Sequence, residues 1–66
     1  MQISLKAARV NANMTQEDVA RKLRKGKQTI VNWENGRTVM KVNDFTRLCD
    51  LYGLEPRDIF LPTQST

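Results

Sequence analysis

The stretch Thr15-Gln16-Glu17-Asp18-Val19-Ala20-Arg21-Lys22-Leu23-Arg24-Lys25-Gly26-Lys27-Gln28-Thr29-Ile30-Val31-Asn32-Trp33-Glu34-Asn35-Gly36 decides how this chain folds. It opens on a helix start signal. Thr15 can cap the orphan amides of a first turn, and Glu17 and Asp18 favour the positive end of a helix dipole. Val19, Ala20 and Leu23 then recur at helical spacing, which predicts a helix to about Leu23. Arg24-Lys25-Gly26 leaves room only for a tight turn. A following helix is predicted from about Lys27 to Asn35, stopped by Gly36, the residue best suited to a left-handed C-terminal position.

The second of these helices has two chemically distinct faces. Ile30, Trp33 and Glu34 share one side at the i, i+3, i+4 spacing, while Lys27, Gln28, Val31 and Asn32 share the other. The first set holds both large apolar residues and belongs in a core. The second holds types that match base edges: Lys bonds guanine, Gln and Asn bond adenine, and Val can touch a thymine methyl. A merely solvated helix surface would carry Glu and Lys pairs there instead of amides. Two helices three residues apart form a helix-turn-helix layout, although spacing alone leaves other bundles open.

Working outward, Ser4 is placed to cap a first helix of about residues 5–12, with Leu5, Ala8 and Ala12 on one face. Asn13 fits its stop, because Asn tolerates the left-handed conformation. Asn43 begins a fourth helix with Phe45, Leu48, Cys49 and Leu51 inward, stopped at Gly53. Glu55-Pro56 begins a short fifth helix, with Pro at the first helical position. No segment alternates apolar and polar residues as a strand would. The expectation is an all-α, compact five-helix bundle over residues 1–61, followed by a polar, frayed tail over 62–66.

Composition narrows the function. A chain of 66 residues holds one domain and buries only about 60% of the surface its unfolded form exposes. With no histidine and a single cysteine, Cys49, it has no internal disulfide, no common general base and no usual zinc ligand set. Nothing in this inventory assembles a base, a nucleophile and an orienting group, so no catalytic residues and no enzyme are expected. No cofactor, metal or small-molecule ligand is expected either. Apolar runs of two or three residues fall far short of the ~20 needed for a membrane span, and no apolar signal region follows Lys6. A cytoplasmic protein is the default. Its own Met1 and polar tail favour a stand-alone protein over an excised domain.

The formal net charge of +4 is unevenly spread. Arg21, Lys22, Arg24, Lys25, Lys27, Arg37 and Lys41 face only Glu34 within residues 21–41, whereas the segments on either side are neutral or acidic. A concentrated basic segment is the footprint of a polyanion, although a solvated basic face reads the same from charge alone.

Met14-Thr-Gln-Glu-Asp-Val-Ala-Arg-Lys-Leu23, Gln28-Thr-Ile-Val-Asn-Trp-Glu-Asn-Gly-Arg37 and Leu48-Cys-Asp-Leu-Tyr-Gly-Leu54 together resemble the Cro/repressor-type (XRE-like) helix-turn-helix family of phages and bacteria. The resemblance covers about residues 4–60. It implies a lambda-repressor-like bundle whose third helix lies in the major groove of double-stranded DNA. It places Lys27, Gln28 and Asn32 where the family reads bases, with Val31 adjacent. It places Gln16, Asn35, Arg37 and Lys41 at phosphates, contacts that fix register without reading sequence. Arg9 and Glu34 fall where the family often forms an internal ion pair. It also implies a transcriptional regulator, a Cro-like repressor on a pseudo-palindromic operator. Such a protein would be a homodimer on DNA, paired through about Leu54 to Leu61, where Arg57, Phe60 and Leu61 are the candidate contact residues.

Two departures stand out. The family usually has Gly where this chain has Arg24, and Ser or Thr near Gly26, so the start of the third helix lacks a hydroxyl cap. It also often has Pro near Met40. Plainer roles fit several residues: Trp33 packs with Ile30 rather than stacking on a base, Cys49 fills core space, and Tyr52 is half-buried. Of Phe60 and Leu61, one finishes the core and the other is left exposed. The rival function is a protein-interaction role, such as an antitoxin, antirepressor or excision factor. RNA binding fits less well, because no aromatic pair is set out to stack bases and side chains cannot enter the major groove of duplex RNA.

Overall fold

A computed structural model describes residues 2–61, so the tail expected over residues 62–66 lies outside the described residues. The chain forms strand β1 (Ile3–Ser4), helices α1 (Leu5–Asn11), α2 (Gln16–Leu23), α3 (Lys27–Glu34) and α4 (Val42–Tyr52), a 3-10 turn (Pro56–Asp58) and strand β2 (Ile59–Phe60). Ser4 caps α1 as its position suggests, its Oγ accepting from the Ala7 amide at 3.0 Å.

The four helices end in one common way. Asn13 (φ 59°), Arg24 (58°), Gly36 (72°) and Gly53 (70°) are left-handed. The next amide then donates back into the last turn: Met14 N to Arg9 O (3.2 Å), Lys25 N to Ala20 O (2.9 Å), Arg37 N to Asn32 O (2.9 Å) and Leu54 N to Cys49 O (3.0 Å). Each closure satisfies carbonyls the helix would otherwise leave open. Gly and Asn enter this conformation readily. Arg24 does not, and a side chain there costs about 1–2 kcal/mol.

The helices pack their apolar stripes on one another. Leu5 and Ala8 of α1, Val19, Ala20 and Leu23 of α2, Ile30 and Trp33 of α3, and Leu48 and Cys49 of α4 are all buried. Phe45, Leu51 and Tyr52 are half-buried at its edge. Burial pushes the Cys49 thiol pKa up, which suits a core filler and not a nucleophile.

Three expectations need correction. The five-helix count is one too many, because the segment after Glu55 makes only a 3-10 turn. Asp58 N donates to Glu55 O at 2.9 Å and Glu55 N donates to Asp58 Oδ2 at 3.0 Å, which closes the turn on itself. Ile59 and Phe60 then leave in extended form and pair in parallel with β1, Ile3 opposite Ile59 and Ser4 opposite Phe60. Two-residue strands have no room for the alternation that announces a strand in sequence. Their alternation shows instead in burial: Ile59 and Leu61 lie in the core and Phe60 is 52% exposed. Leu61, at 9%, is therefore not part of an exposed C-terminal surface. Finally, α4 begins at Val42, one residue ahead of the Asn43 start, with Lys41 at the N-cap position and no side-chain cap bond. Asp44, in that first turn, is buried with its carboxylate 3.7 Å from Lys25 Nζ.

Candidate nucleic-acid interface

Thr15 and Asp18 set the start of α2 by reciprocal bonds. Asp18 N donates to Thr15 Oγ1 at 3.0 Å and Thr15 N donates to Asp18 Oδ2 at 2.9 Å. The Thr15 amide, then its hydroxyl, holds the Asp18 carboxyl below the usual carboxylate range. At the other end, the left-handed Arg24 turns the chain, and Gly26 precedes α3 without a side-chain cap. The expected loss of a hydroxyl cap is thus present, and no side chain at the cap position hydrogen-bonds the opening amides of α3.

The two faces of α3 separate as the sequence suggests. Ile30 and Trp33 are buried, while Lys27 and Gln28 are exposed and Val31 and Asn32 lie half-exposed beside them. This outward face is already organised. Lys27 Nζ sits 3.0 Å from Glu17 Oε2 of α2, both side chains more than half exposed. Lys27 in turn holds the Glu17 carboxyl below its ordinary pKa, chiefly by this hydrogen bond. Beside it, Gln28 Nε2 donates to Asn32 Oδ1, one turn along the helix, at 3.0 Å.

Glu34 anchors the inner end of the same helix. Its side chain is 5% exposed and that of Arg9 11%. Arg9 Nε donates to Glu34 Oε2 at 2.7 Å, and a second guanidinium nitrogen reaches Oε1 at 3.4 Å. Arg9 also donates to the Met14 carbonyl at 3.0 Å. The Glu34 hydrogen bond raises the Arg9 pKa above its already high value, against the opposing pull of burial. Gln16 Nε2 donates to Glu34 Oε1 at 3.1 Å, so the first residue of α2 is tied to the end of α3. The family-implied ion pair is therefore present, and Gln16 hydrogen-bonds its carboxylate.

Asn35, Arg37 and Lys41 are exposed on the connection from α3 to α4. Arg37 and Lys41 form no ion pair among the described residues. By contrast, Arg21, Lys25 and Lys27 are matched by Asp18, Asp44 and Glu17. The basic segment is thus less one-sided than the linear count implies, since three of its cations meet carboxylates on α2 or α4. Sequence spacing hints at the Asp18–Arg21 pair, an i, i+3 neighbour. Nothing local signals Glu17 with Lys27, Gln16 with Glu34, or Asp44 with Lys25.

No helix among the described residues is long and apolar enough to cross a membrane, and no cluster of metal-ligating side chains occurs among them. Two helices joined at a left-handed turn, the second buried on one side and presenting amides and a lysine on the other, define a DNA-binding module of the helix-turn-helix class. Comparison with family models agrees: the helix-turn-helix domain model matches residues 3–59, and the chain belongs to that family. That membership implies binding to double-stranded DNA. Comparison with curated proteins and with solved structures finds no significant match.

Proposed function

We propose that this protein is a sequence-specific transcriptional regulator of Cro-like repressor type, which reads a pseudo-palindromic operator with α3. The observation that carries this reading is the chemistry of the outward face of α3. Lys27, Gln28, Val31 and Asn32 together offer donors, acceptors and a methyl contact, with no acidic residue among them. Around that face Gln16, Asn35, Arg37 and Lys41 are the phosphate contacts. Gln16 keeps one N–H for a phosphate oxygen while its other bonds Glu34.

One recognition helix covers about half a turn of DNA, too little to single out a site in a genome, so two copies on half-sites about 34 Å apart are required. The domain measures 30 × 22 × 19 Å, less than that spacing in every direction, so two copies there share at most a small contact. Arg57 and the half-exposed Phe60 supply that contact, with Leu61 fixed beneath them in the core. An interface of this kind falls well under the ~1,200 Å² of stable complexes. Pairing then depends on DNA, and binding is cooperative with little dimer in free solution.

Selection of sites from random duplexes, followed by titration at several salt concentrations, tests this reading. Three to five phosphates neutralised per subunit by the basic segment correspond to a slope in log K against log salt of about −3 to −4.5 for one subunit, and about twice that for a dimer on a full site. Gln28→Ala should relax preference at one base pair per half-site at a cost of about 1–3 kcal/mol, whereas Arg37→Ala should weaken all duplexes alike. Equal weakening of selected and random DNA by Gln28→Ala refutes the reading face. A half-site bound as tightly as a full site refutes the dimer.

A further inference from the structure

Gln28 and Asn32 lie one turn apart on the outward face of α3, and their amides are bonded to each other. A free glutamine amide presents a donor and an acceptor in either order, because its oxygen and nitrogen ends differ little in shape. Here the order is tied to that of Asn32. The nitrogen end of Gln28 points to Asn32 Oδ1 at 3.0 Å, and the oxygen end is the one farther from Asn32. Turning the Gln28 amide alone would bring Gln28 Oε1 against Asn32 Oδ1, two acceptors with no proton between them, so it can reverse only together with Asn32.

We propose that Asn32 is a positioning residue for Gln28, fixing the order of donor and acceptor so that α3 accepts an adenine–thymine pair in one orientation and rejects its reverse. This rests on the reading of α3 as the base-contacting helix. Across the major groove an A·T pair shows adenine N7 (acceptor), adenine N6 (donor), thymine O4 (acceptor) and the thymine methyl; the reversed pair shows them in reverse. An amide whose donor and acceptor match the first two groups of one pair meets a methyl and an acceptor in the other. A freely turning amide, shifted slightly across the groove, can find partners in both.

Asn32 has a second task in this arrangement. One lone pair of its oxygen is taken by Gln28, while both N–H groups of its amide remain to donate to DNA. One helical turn advances about 5.4 Å, between one and two base-pair steps of about 3.4 Å. Asn32 is therefore placed to donate to an acceptor, a purine N7, guanine O6 or thymine O4, on a pair next to the one read by Gln28.

The test compares wild type, Gln28→Ala, Asn32→Ala and Asn32→Asp by site selection from random duplexes, with NMR of the Gln28 side-chain amide in each free protein that retains it. Gln28→Ala identifies the base pair that Gln28 reads. At that pair the wild type should favour one orientation by about tenfold, the scale of one hydrogen bond. Asn32→Ala should bring this ratio close to one. Asn32→Asp keeps the acceptor and cannot donate, so it should preserve the ratio and alter preference only at the neighbouring pair, whatever its charge does to overall affinity. In the free protein the Gln28 amide protons should shift in Asn32→Ala and remain bonded in Asn32→Asp. An Asn32→Ala protein with the wild-type ratio overturns the positioning role and leaves base reading by α3 intact. Loss of the ratio in Asn32→Asp overturns it too, because the bond would then run from Asn32 to Gln28. A Gln28→Ala protein unchanged at every base pair removes the base-reading assignment, and this inference with it.

Discussion

Truncating Glu34 to alanine should take this protein to the edge of unfolding. The carboxylate is 5% exposed and faces a guanidinium that is 11% exposed. It accepts from two nitrogens of Arg9 and from Gln16. Without it, Arg9 keeps only its bond to the Met14 carbonyl, and a largely buried cation loses its counter-charge. Breaking one side of a buried pair costs about 3–5 kcal/mol. At about 0.05–0.15 kcal/mol per residue, a domain of this size has only about 3–10 kcal/mol to lose. Replacing both partners with apolar residues, Arg9→Met with Glu34→Leu, removes the stranded charge and should restore most of the loss. Urea unfolding followed by Trp33 fluorescence reports it directly, since Trp33 is the one tryptophan in the chain and is buried. A loss under about 1 kcal/mol for Glu34→Ala, or a double variant as unstable as the single one, would refute the buried-charge reasoning.

Other outcomes follow from single contacts. Arg24→Gly should raise Tm by about 4 °C, since it relieves the left-handed strain and gives back part of the gain as unfolded-state entropy. No rise would mean that the arginine side chain offsets its own strain. Tyr52, the only tyrosine, has its pKa pushed up to about 12 by burial. Because the folded state holds this proton more tightly, its contribution is complete below the ordinary tyrosine pKa of about 10 and is lost as pH rises from there through about 12. Ultraviolet titration showing ionisation near the ordinary value would contradict this. Glu17→Gln frees Lys27 from its ion pair and removes a negative charge beside the reading face, so duplex affinity should rise at low salt and its salt slope steepen. An unchanged slope would show that Lys27 does not reach DNA.

Much of the architecture was legible because its signals are local. A capping threonine followed by carboxylates, apolar residues every third or fourth position, and Asn or Gly at helix ends each act within one or two turns. They placed α1, α2 and α3 to within a residue or so. The same helical phase put Ile30 and Trp33 inside, and Gln28 and Asn32 outside. Where a local signal was misleading, a distant partner overrode it. Glu55-Pro56 reads as a helix start, but the next residues end as a strand because Ile3 and Ser4 are there to pair with them. Phe60 and Leu61 look equivalent in sequence, and only the direction of β2 sends Leu61 into the core.

The site divides along the same line. Which residue types could address DNA was decided by the sequence, since the side-chain inventory and the helix period are properties of the chain itself. How those side chains are held was decided by the tertiary structure. Gln16 and Glu34 come from different helices, as do Glu17 and Lys27, and Lys25 and Asp44. Even the number of unmatched cations depends on packing, because a charge is neutralised by whatever lies within a few ångströms in space and not by its neighbours along the chain.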